Sequence, residues 1–223
     1  MIAYTLIRSK RRTLALHVRG GQVEARAPLH MPKAEIDRFV QAKEKWLTDK
    51  LAESKGLARK REAFSLGYGD SILCRGREYP LAAETGDKSG FDGERFYIPP
   101  GLTPAEIKMC CVQIYRIIAR RVLTPKTAEF AARMGVRPAA VKISGAKTRW
   151  GSCSSRGSVN YSWRLIMADD DMVDYVVVHE LAHLVEMNHS GRFWNIVENV
   201  LPDFRRRKAR LKELQQRLAG GLF

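Results

Sequence analysis

The sequence predicts an α+β protein in two parts: a β-rich region with one amphipathic helix over residues 1–101, and a second region over 102–223 that ends in a basic helix. Three observations carry that prediction. Short period-two apolar runs separated by glycines fill the first hundred residues, the pattern of strands and tight turns. Beyond Pro99-Pro100-Gly101, two helix starts are written plainly, Thr103-Pro104-Ala105-Glu106 and the aspartate run Asp169, Asp170, Asp171. Between those helices the period returns to two, so strands and helices are mixed.

Leu14, Leu16 and Val18, then Val23, Ala25 and Ala27, occupy alternate positions on either side of Gly20-Gly21, which predicts a hairpin closed by Pro28 and Pro32. The following segment reads as one helix. Ile36, Phe39, Val40, Trp46, Leu47 and Leu51 form its buried stripe, interrupted by Lys43. The charged residues 52–62 read as its tail running into a linker. Short strands are expected at 71–74, 78–81 and 95–98, with the domain boundary at Pro99-Pro100-Gly101. Thr103 as N-cap, Pro104 at the first helical position and Glu106 at the third begin a helix that should reach about Met134, with Pro125 as a place for a kink. A strand is expected at 141–144. Residues 149–153 and 158–167 flank Ser154-Ser155-Arg156-Gly157 as a second hairpin, and the three aspartates then open the next helix.

With 223 residues, 45% hydrophobic and 28% charged, the chain can bury a core and is not disordered by composition. Lys and Arg number 39 against 24 Asp and Glu, a formal net charge of +15. The excess lies at the ends. Residues 1–62 carry 15 basic and 7 acidic side chains, residues 203–223 carry 7 and 2, and the middle is nearly balanced. Nonspecific, phosphate-driven nucleic-acid binding is therefore one expectation for the ends. Solvated faces are the other reading of Lys10-Arg11-Arg12 and Arg205-Arg206-Arg207-Lys208. No apolar run approaches 18 residues, so no membrane helix is expected. The basic residues of the first segment follow its apolar stretch, the reverse of a secretory signal, and Cys74, Cys110, Cys111 and Cys153 lack the spacing of a disulfide or CxxC framework. The expectation is a cytoplasmic protein with reduced thiols.

The sharpest chemical signal is Tyr175-Val-Val-Val-His179-Glu180-Leu-Ala-His183-Leu. Residues four apart on a helix lie one above the other, so His179 and His183 present two imidazoles from one face, enough to grip one zinc ion. Glu180 stands beside them, placed to take a proton from a water whose pKa the zinc lowers to about 7. Apolar neighbours on most sides mark the helix as buried, and buried histidines with a glutamate need a reason; the bland one is a pair of core histidines satisfied by hydrogen bonds. A catalytic zinc site has three protein ligands and an open position. His189, beyond an expected helix end at Asn188, competes for third place with Glu198 on the next helix and Glu186 on the same face.

The stretches HELAHLVEMNHSGRFW and RWGSCSSRGSVNYSWRLIMAD, with the N-terminal IRSKRRTLALHVRGGQVEARAP, resemble the YgjP-like metal-dependent hydrolases, relatives of the SprT/Spartan zinc proteases. The resemblance covers most of the chain. It implies a compact zincin-like domain, of minimal gluzincin or SprT-like form, with a sheet packed on the metal helix. In SprT-like relatives the third histidine is followed by an aromatic residue, and His189-Ser-Gly-Arg-Phe193 has that form, so the resemblance assigns the third-ligand role to His189.

Beside a metal, an edge strand can pair with an extended peptide, and residues 159–165 are the candidate. Arg149, Asn160 and Tyr161 are candidate donors to a developing oxyanion, although Trp150, Tyr161 and Trp163 also read as core aromatics. The leading expectation is a zinc metallopeptidase with peptide or protein substrates, ligands His179, His183 and His189, and base Glu180. Two alternatives stand beside it. Arg149, Arg156 and Arg164 around the metal would suit a phosphohydrolase of nucleotides or phosphoesters, and a structural or absent metal would leave a basic nucleic-acid-binding protein.

Overall fold

The computed structural model describes residues 2–219; Met1 and 220–223, at the ends of the two expected regions, lie outside the described residues. Among these there are six α-helices and three small sheets, an α+β architecture. The contacts divide the chain into one compact unit up to Phe64 and another from Ser65 to Leu218. The division thus falls well before the expected boundary at Pro99-Pro100-Gly101, because the strands between 71 and 98 share a core with the helices that follow. The hydroxyl of Tyr115 donates to the Leu73 carbonyl at 2.7 Å, the Phe96 and Tyr115 rings lie 5.5 Å apart, and the Arg75 amide donates to the Ile166 carbonyl at 2.6 Å.

In the first unit, strands β1 (Thr5–Ser9), β2 (Ala15–Arg19) and β3 (Gln22–Pro28) form a sheet in the order β1-β3-β2. The β2–β3 pair is the expected hairpin, and Gly20 and Gly21 turn it at φ +55° and +74°, values that a hairpin turn demands and glycine adopts freely. Val23, Ala25 and Ala27 point into a core shared with Ile36, Val40 and Leu47. The expected single helix is two, α1 (Lys33–Ala42) and α2 (Glu44–Ala63), and residues 52–62 are helical rather than a linker. Lys43 sits exposed at the break. On a continuous helix it would share the face of Val40 and Leu47, three residues after one and four before the other, and an unpaired lysine resists that burial. Trp46 is 43% exposed and leaves the predicted stripe.

The second unit opens with β4 (Ser71–Cys74), β5 (Arg77–Ala83), β6 (Gly90–Phe91) and β7 (Phe96–Ile98), ordered β4-β5-β7-β6. The long helix α3 (Pro104–Met134) starts with the predicted capping box and carries Pro125 within its span. Then come β8 (Ala140–Ser144), β9 (Gly151–Cys153) and β10 (Ser158–Ser162). Their order is β8-β10-β9, with β10 parallel to β8 and antiparallel to β9. The expected edge strand at 159–165 is therefore corrected on two counts. Its first part is the central strand of the sheet, and Trp163–Met167 form a 3-10 turn whose tryptophan stacks on Tyr115 at 5.4 Å. Three helices complete the unit: α4 (Asp170–Ala182), capped by Asp169, α5 (Gly191–Val200) and α6 (Phe204–Ala219).

Candidate metal centre

The helix α4 is buried along Val176, Val177, Val178, Leu181 and Ala182, which fixes the direction in which His179 and Glu180 can project. The helix ends at Ala182, six residues earlier than Asn188, with His183 still in right-handed helical conformation as its C-cap. Tight turns follow, in which the Leu184 and Val185 amides donate to the Leu181 and Ala182 carbonyls at 3.0 Å. The chain reverses and returns His189 to α4. Its Nε2 lies 3.1 Å from Nε2 of His179, and one ligand atom from each of His179, His183 and His189 falls within 4.8 Å of the others.

These imidazoles suit a divalent ion. Two nitrogens on a tetrahedral zinc with bonds of about 2.0–2.1 Å would stand about 3.3 Å apart, close to the separation of His179 and His189. Two of the donors, His179 and His189, are biased toward the neutral form. Burial, followed by His183, His189 and Lys208, pushes His179 down to about 3, and burial, with His183 and Lys208, lowers His189. Neutral rings keep a lone pair for a metal. Nδ1 of His183 lies 3.2 Å from the Glu186 carbonyl, a partner that would fix its tautomer and leave Nε2 to bind. Phe193 floors the cluster, fully buried, with its ring centroid 5.0, 4.6 and 4.7 Å from those of His179, His183 and His189. The competing carboxylates have other partners: Glu186 accepts from the Asn188 amide at 3.3 Å, and Glu198 pairs with Arg205 at 2.5 Å.

Glu180 is 5% exposed, and burial raises its carboxyl to about 7, with Arg149 opposing the shift. It packs against the start of β9. A Cβ on Gly151 would stand 2.6 Å from Glu180 Cγ, so the glycine in Trp150-Gly151-Ser152 makes room for that carboxylate. Both line a cavity of about 560 Å³ with His179, Tyr175 and Arg149.

Of the three candidate oxyanion donors, Arg149 lines this cavity. Tyr161 does not: it is fully buried, and its hydroxyl accepts a hydrogen bond from Thr127 at 3.1 Å. Asn160 is not among the lining residues. Arg164 donates to the Gly145 carbonyl at 3.0 Å and stacks on Trp163, and neither it nor Arg156 reaches the cavity. Tyr175 escaped the sequence reading, although its position four residues before His179 puts it on the same helical face; its ring lies 5.8 Å from that imidazole. Lys208, 4.4 Å over the Trp194 ring, was legible only as part of a basic run.

Three convergent imidazoles beside a buried carboxylate, on an α+β frame, are the parts of a metal-dependent hydrolase. The chain belongs to the YgjP-like family, whose metallopeptidase-domain model matches residues 12–214. Among solved structures it is similar to the metallopeptidase zymogen abylysin of Pyrococcus abyssi, at 23% identity over 46% of this chain and 100% of that one, with a TM-score of 0.39. It is also similar to the metallopeptidase zymogen jannalysin of Methanocaldococcus jannaschii, at 19% identity over 42% of this chain and 95% of that one, with a TM-score of 0.37. No match is found among curated proteins. Among the described residues no helix is long and apolar enough to cross a membrane.

Proposed function

We propose that the protein is a zinc-dependent peptidase in which His179, His183 and His189 hold the metal and Glu180 is the general base. The observation that carries this reading is the convergence of the three imidazoles, one of which, His179, lines the same cavity as the buried Glu180 carboxylate. Zinc, when bound, supplies Lewis acidity that activates water and polarises a carbonyl. Glu180 takes a proton from the attacking water and returns it to the amine as the C–N bond breaks. A carboxyl raised to about 7 by burial can do both near neutral pH. Arg149 and Tyr175, on the same cavity, are the donors available to the oxygen that gains charge.

The substrate strand has a place as well. In the β9–β10 pair, the Ser162 amide donates to the Trp150 carbonyl and the Ser154 amide to the Ser158 carbonyl. By the alternation of an antiparallel ladder, the backbone groups of Gly151 and Cys153 face away from β10, on the free edge. An extended peptide pairing there would lie alongside Glu180.

Glu180→Gln tests the reading. The variant should bind zinc as the wild type does and lose hydrolysis of an unfolded protein by about 10³-fold or more. Undiminished turnover in that variant would remove the mechanism.

A further inference from the structure

The cavity beside Glu180 has one wall that bond cleavage alone does not explain. Helix α6 turns two sets of cations in different directions. Arg206, Arg207 and Arg210 pair with Asp203, Asp171, Asp174 and Asp169 of this same chain. Arg205, Lys208 and Lys212, spaced three and four apart, line the cavity, and Arg149 lines it from the segment just before β9. Glu180 is the carboxylate among the lining residues. Arg205 is engaged by Glu198 at 2.5 Å and Arg149 acts on the Glu180 carboxylate of the same cavity, whereas Lys212 is in no ion pair among the described residues. Val176, Tyr175 and Leu211 supply apolar surface between these charges. A cleft of one predominant sign focuses its potential on what enters. The missing side chain of Gly151 faces Glu180, so a peptide paired on β9 would turn every second side chain toward the same side.

Resting on the peptidase reading, we propose that this cavity selects peptides carrying a carboxylate next to the scissile bond, with Lys208 and Lys212 as the residues that read it. The carboxylate comes from an Asp or Glu side chain, whose methylenes suit the apolar lining, or from a free C-terminus.

Binding is measured apart from cleavage. Zinc-loaded, full-length Glu180→Gln is titrated with fluorescent extended peptides that differ only in Glu or Gln at one position, each made as the free acid and as the amide. The Glu peptide, or the free acid, should bind about tenfold tighter than its neutral counterpart, the worth of one hydrogen bond to a charged group. Which of the two gains identifies the source of the carboxylate. Adding Lys208→Ala and Lys212→Ala should bring that ratio to about one, and Lys212→Glu should favour a Lys peptide instead. Equal binding of all four peptides would overturn the proposal. So would a single-stranded oligonucleotide that displaces them at lower concentration than the Glu peptide does, since the cations would then be reading phosphate. A preference in binding without cleavage of any peptide by the zinc-loaded wild type would keep the cavity and remove the peptidase reading. Cleavage by the wild type without that preference would do the opposite.

Discussion

Gly151 shows how narrowly single residues constrain this site. A methyl group there would sit 2.6 Å from Glu180 Cγ and 2.6 Å from Oε1, so the carboxylate would have to swing away from its place above β9. Gly151→Ala should therefore lower kcat by about 10²-fold, the cost of misplacing a reacting group by about an ångström, while zinc content per chain stays unchanged. Wild-type kcat in that variant would mean that Glu180 does not act from where it stands. The contribution of sequence at this scale was uneven. His179, Glu180 and His183 were legible because helical periodicity alone puts them together. His189 was not legible from spacing, because its return depends on α4 ending at Ala182 and on tight turns that no periodicity encodes. Of the two readings of Tyr161, donor to an oxyanion or core aromatic, the second holds: the ring is fully buried and its hydroxyl meets Thr127, a residue of α3 thirty-four positions earlier.

At the scale of elements, β9 and α6 bracket the cavity. The outward amide of Cys153 is available to a paired peptide, and its loss leaves the bonds between β9 and β10 in place. Cys153→Pro should raise KM for extended peptides by about tenfold, one lost backbone hydrogen bond plus an exposed partner, with little change in zinc content; an unchanged KM would move the substrate off this edge. The helix α6 is anchored by Arg207, whose guanidinium lies between Asp203, Asp171 and Asp174 with 14% of its side chain exposed. Helix starts, the first hairpin and the approximate strands could be read in the sequence, since caps, glycine turns and alternation are local. Strand order could not. The placing of β10 between β8 and β9 comes from pairing across the sheet, and the break at Lys43 comes from which face of the helix meets the core.

For the whole molecule, the net charge of +15 is not a uniform basic coat. Part of the C-terminal excess is neutralised by the aspartates around the start of α4, and part is turned into the cavity. The proposed ligands and base all lie in the unit from Ser65 to Leu218, so metal binding should stabilise that unit first. A ligand at a hundredfold excess over its Kd adds about 2.7 kcal/mol to folding. The most direct measurement is zinc per chain in the purified protein, read beside Tm with and without a chelator, for wild type, His179→Ala and His189→Ala. The account predicts about one zinc in the wild type, a Tm that falls on chelation, and loss of both the metal and that Tm response in each variant. Zinc retained at full stoichiometry without His189, or a wild type that stays empty when zinc is supplied, would contradict it.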